Sequence, residues 1–165
     1  MRPAPSPAEL ADMMDRFNRD PWRPSYCAVL HLDDGEFEIT MDDDPEAEPM
    51  LVHWVYDFFG NATQFVAFNH ADPDDWLVWR RGGNPIAGHD VILHAERTGT
   101  PARVVANPRA CWDYGMCVAI LDWRCDLRRW FRAAPVQFDS EELEHRYVRA
   151  WRHGPRRSRP NIARP

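Results

Sequence analysis

Lysine is absent from the chain, and all 20 basic residues are arginine. A GC-rich coding sequence would give this bias without any functional cause. The chemical consequence holds either way. Every permanent cation is a planar fork suited to carboxylate or phosphate. No lysine amine exists to act as a Schiff-base nucleophile, a P-loop lysine or a catalytic base. The GxxxxGK[ST], GxGxxG and GxSxG patterns are missing too. Apolar stretches fall well short of the ~18 residues that a membrane span needs. The start, MRPAPSPAEL, has no apolar signal-peptide core. These absences predict a cytoplasmic protein with no membrane partner.

Cys27, Cys111, Cys117 and Cys125 form no CxxC-type pair, so the usual structural zinc spacing is missing. They read as reduced and mostly buried thiols, with a disulfide among the last three as the alternative. His89 and His94, five apart, fit neither one face of a strand nor the i,i+4 zinc geometry of a helix. His70 with Asp72, Asp74 and Asp75 has the composition of a hard-metal or acid–base cluster but the spacing of a solvated turn. The Arg80-Arg81-Gly82-Gly83-Asn84 run sets two guanidinium groups beside flexible glycines, and a turn is favoured over a phosphate grip. Cys111 or Cys117 with a histidine would make a thiol dyad, but separated residues establish no geometry. No metal, cofactor or catalytic residue is predicted. The balance leans away from an enzyme, and a small enzyme with an unrecognised site is the third reading.

What the chain does contain is an ordinary globular composition: 165 residues, 44% hydrophobic and 28% charged. The reading is one domain over residues 1–153, followed by a basic, proline-rich tail over 154–165 that is disordered on its own. Charge is unevenly divided. Residues 24–79 carry 13 acids and no arginine, whereas residues 80–165 carry nine acids and 16 arginines. Either the two regions neutralise one another within the fold or across a homodimer, or one of them meets a partner.

Ser6-Pro7-Ala8-Glu9 fits a capping box, and Leu10, Met13, Met14 and Phe17 continue it as an N-terminal helix. Tyr26 to Leu32 and Glu36 to Met41 alternate around Asp33-Asp34-Gly35, a hairpin pattern whose acidic side should face water. Strands are expected over Met50 to Phe59, Thr63 to Asn69 and Trp76 to Arg81. The last of these sets Trp76 and Trp79 on opposite faces. His89 to Glu96 and Ala102 to Ala106 are two further candidate strands. Asn107-Pro108 starts a short helix that Gly115 closes. Met116 to Trp123 fits either the start of a helix or a buried strand with a helix from Asp126. In the helical case Arg124, Arg128 and Arg132 form a basic stripe. Asp139 and Ser140 compete to cap the last helix, which buries Leu143, Tyr147 and Trp151. The expected fold is α+β: an N-terminal helix, an antiparallel meander sheet of five to seven strands, and C-terminal helices on one face.

The charge division supports two functional readings. In the first, an acidic surface engages a basic, nucleic-acid-handling protein by imitating a phosphate backbone, as an immunity protein or a phage inhibitor would. Its contacts are Glu36, Glu38, Asp42, Asp43, Asp44, Glu46, Glu48, Asp72, Asp74 and Asp75. In the second, a nucleic-acid-associated or assembly protein uses Arg124, Arg128, Arg132, Arg156, Arg157 and Arg159. An acidic chain without a standard nucleic-acid module favours the first.

Overall fold

The computed structural model describes residues 25–40, 44–57, 59–69, 71–72, 74–79, 83–152 and 160–163. The expected helix around Ser6 to Phe17 lies outside them. So do Asp42, Asp43, His70, Arg80, Arg156, Arg157 and Arg159. The architecture is α+β. The chain forms two compact units, Met1–Asn84 and Pro85–Pro165. The boundary falls inside the span 1–153 that the sequence reading takes as one domain.

The first unit is a curled antiparallel sheet. It comprises β1 (Ser25–His31), a 3-10 turn (Asp33–Gly35), β2 (Phe37–Ile39), β3 (Glu48–Tyr56), β4 (Ala62–Phe68) and β5 (Trp76–Val78). The β1–β2 hairpin forms where Asp-Gly punctuates two alternating runs, with Gly35 at φ 75°. The strand order is β2-β1-β3-β4-β5, so the connection from β2 to β3 passes across β1 and the sheet is not a sequential meander. A parallel bridge between Glu36 and Val78 draws the two edges together. The face inside the curl buries Val29, Phe37, Met50, Val52, Trp54, Phe65 and Trp79. Trp54 and Phe65 lie 4.3 Å apart between ring centroids, and Trp79 meets Phe65 edge-on at 5.0 Å. Phe65, Val66, Ala67 and Phe68 are all fully buried, so β4 is covered on both faces.

The second unit has β6 (Ile86–Ala87), α1 (His89–Thr98), β7 (Ala102–Val105), α2 (Arg109–Asp113), β8 (Cys117–Ile120), α3 (Leu127–Phe131), β9 (Val136–Phe138) and α4 (Glu141–Arg152). Its sheet runs β6-β8-β7-β9, with β7 parallel to both β8 and β9 and β6 antiparallel to β8. The single antiparallel sheet of the sequence reading is thus replaced by two sheets, the second largely parallel. Helices α1, α3 and α4 bury Val91, Ile92, Phe131, Leu143, Tyr147 and Trp151 in one core with Val104, Val118, Ile120 and Val136 of the sheet.

Two local outcomes differ from, or decide between, the sequence expectations. The candidate strand His89 to Glu96 is helix α1. Val91, Ile92 and Ala95 form its buried side, while Gly88, at φ 82°, turns the chain from β6 into it. A Cβ at Gly88 would lie 2.0 Å from the Cys117 carbonyl oxygen, so the β6–α1 corner requires glycine. Of the two alternatives for Met116 to Trp123, the strand forms, and Asp126 then caps α3 by accepting the Arg128 amide.

Candidate functional site: the acidic end of the first unit

Strand register decides where the acidic connections lie. Val29 faces Ile39 on one side and Glu48 on the other, and His31 faces Phe37. Leu51 faces Phe68, which faces Trp76. The β1–β2 turn, the start of β3 and the β4–β5 turn therefore share one end of the sheet. The 57–61 turn, where Asp57 Oδ1 accepts the Phe59 and Asn61 amides at 2.9 Å each, lies at the other.

At the acidic end, Asp33, Glu46, Glu48, Asp72 and Asp74 are exposed. Other carboxylates shape the turns. Asp44 accepts the Glu46 amide at 3.0 Å and Asp72 the Asp74 amide at 3.1 Å. Asp75, half-buried, accepts the Asn69 side-chain amide at 3.2 Å. These short-range bonds shape the aspartate turns. His31 Nε2 lies 3.3 Å from Glu48 Oε2, both side chains being exposed. Asp33 was not among the predicted contacts, although the Asp-Asp-Gly turn carried the signal.

One predicted contact does not belong to this surface. Glu36 is buried at 8% exposure, on the residue that bridges to Val78, because the curl covers the start of β2. The outward acidic side of β2 is carried by Glu38.

The predicted basic stripe is not formed. Arg124 precedes α3, Arg128 lies within it and Arg132 follows it at φ 47°. Asp122 accepts the Arg124 amide and Nε at 3.0 Å each, and Asp126 the Arg128 amide and Nε at 3.2 Å each. The Asp-x-Arg spacing, repeated at 122–124 and 126–128, is the sequence signal for these local pairs. Arg103 is likewise gripped by Asp139 at 2.6 and 3.0 Å, which raises its pKa further above the usual guanidinium value.

The chemistry of a nucleophilic thiol is disfavoured. All four cysteines are thiols, not the disulfide alternative. Burial, reinforced by the Cys117 and Asp90 charges, pushes the Cys111 thiol up to about 12. Burial with Asp122 and Asp126 does the same to Cys125, also to about 12, and burial raises Cys117. Among the described residues no cluster of three His, Cys, Asp or Glu could hold a metal, and no helix is long and apolar enough to cross a membrane. The chain matches no family model, no curated protein and no solved structure.

Proposed function

We propose that this protein binds a basic, nucleic-acid-handling protein through the acidic end of its first unit, presenting carboxylates where that partner would hold phosphates. The observation that carries this reading is the convergence of three acidic connections at one end of the curled sheet. Charge composition agrees. Residues 1–84 hold 17 acids and six arginines, and residues 85–165 nine acids and 14 arginines. An anionic end of this kind accelerates encounter with a cationic face and orients it. Glu46, Glu48 and Asp74, with Asp33 and Glu38, are the contacts of this reading, and Asp44, Asp72 and Asp75 set the turns that present them. Asp42 and Asp43 belong to the same connection in sequence.

The reading is tested by competition. A labelled DNA duplex is held by an oligoarginine peptide, and the protein is added. The proposal predicts that the natural chain displaces the duplex. A triple variant, Glu46→Lys, Glu48→Lys and Asp74→Lys, should do so about tenfold less well while melting at a similar temperature. Equal displacement by both would reject this surface. Direct binding of the duplex by the protein itself would favour the arginine-based reading instead.

A further inference from the structure

The outer edge of β9 is already paired. Its inner edge faces β7, where the Ala102 amide donates to the Pro135 carbonyl at 2.8 Å and Arg103 stands opposite Gln137. By alternation, the amide and carbonyl of Val136 point the other way. They meet a segment from far along the chain. The Val136 amide donates to the Asn161 carbonyl at 2.8 Å, and the Ala163 amide donates to the Val136 carbonyl at 2.8 Å. Ile162 stands in parallel register with Val136 and packs, half-buried, against the core of the second unit. The Asn161 side chain adds a bond to the Ala133 carbonyl at 3.2 Å. Residues of a basic, proline-rich stretch thus complete the sheet, because Ile162 gives that stretch one aliphatic anchor.

Among the described residues the attachment is brief: two ladder bonds, one side-chain amide and one aliphatic group hold Asn161–Ala163 to the edge, which makes the segment releasable.

We propose that the outer edge of β9 is a strand-addition site for an extended Asn-aliphatic-small peptide. The chain's own Asn161–Ala163 fills it, and the same segment of a second copy replaces it by exchange. The second copy is the occupant because its segment is the sequence whose fit to Val136, Ala133 and the core is displayed, and exchange of an identical element costs little in contacts. This inference does not depend on the acidic end.

The probe is a labelled synthetic peptide of residues 158–165. The receptors are the natural full-length chain and two full-length variants that vacate the edge. Ile162→Asp removes the anchor, and Ala163→Pro removes the donor to Val136 without touching the core. The expected result is peptide binding about tenfold tighter to either folded variant than to the natural chain. Amide exchange at Val136 should be faster in both variants, with Val104 unchanged. The natural chain should show a concentration-dependent dimer that Ala163→Pro loses. No binding to the folded Ala163→Pro chain, or equal binding to it and to the natural chain, would overturn the site. Binding without any natural dimer would overturn the second copy as its occupant.

Discussion

The imidazole Nε2 of His31 stands 3.3 Å from the Glu48 carboxylate, pairing the last residue of β1 with the first residue of β3 at the acidic end of the sheet. Both side chains are exposed, so the pair contributes under about 1 kcal/mol to stability. Glu48→Gln should therefore barely move the urea midpoint, yet weaken binding of an oligoarginine probe. A large loss of stability would recast Glu48 as a structural residue.

Gly88 has a steric reason to be glycine. Gly88→Ala would both strain a left-handed backbone and press into the Cys117 carbonyl. The expected cost is roughly 3 kcal/mol, seen as a lowered thermal midpoint. Alanine at Gly60 or Gly99, where a Cβ meets open space, should cost less, since only the positive φ opposes it there.

The thiols make a pH prediction. Cys111 and Cys125 ionise near 12 in the folded chain, against 9.0 ordinarily. Below 9 the thiols are neutral in both states and the fold keeps its full stability. As pH climbs from 9 towards 12, the unfolded chain loses these protons first, so stability falls across that window. Denaturant melts between pH 8 and 11 should show this decline. Both side chains are half-buried, so the raised values leave little thiolate at pH 8: alkylation there should be slow relative to a small free thiol, and rapid modification would contradict the raised values.

Two residues competed in sequence for the cap of α4, and the structure divides their roles. Ser140 Oγ accepts the Leu143 amide at 3.2 Å, whereas Asp139 is turned to Arg103. Ser140→Ala should cost about 1 kcal/mol. Asp139→Asn, which weakens only an exposed ion pair, should lower the thermal midpoint less. The reverse order would assign the cap to Asp139.

Much of the local architecture is written in short patterns. Asp33-Asp34-Gly35 between alternating runs specifies the first hairpin, and Gly60-Asn61 marks the next turn, where Gly60 takes φ 84°. Leu143, Tyr147 and Trp151, four apart, specify the buried side of α4. His89 to Glu96 misleads because its β-branched pair, Val91-Ile92, reads as strand, while Gly88 starts the helix through backbone conformation and not a side-chain cap. Parallel pairing of β7 with β8 and β9 is a long-range choice that no local window contains. At the candidate site, the acidic turns were legible as composition, but their common end depends on register. Glu36 was misplaced because curling of the sheet, invisible in alternation, buries it. The arginine stripe failed because aspartates two residues upstream claim Arg124 and Arg128.

The most direct test is a titration of oligoarginine into the natural chain and into the Glu46→Lys, Glu48→Lys, Asp74→Lys variant, at low and at physiological salt. The account predicts saturable binding to the natural chain that weakens with salt and falls about tenfold in the folded variant even at low salt. Indistinguishable isotherms for the two proteins at low salt would contradict it.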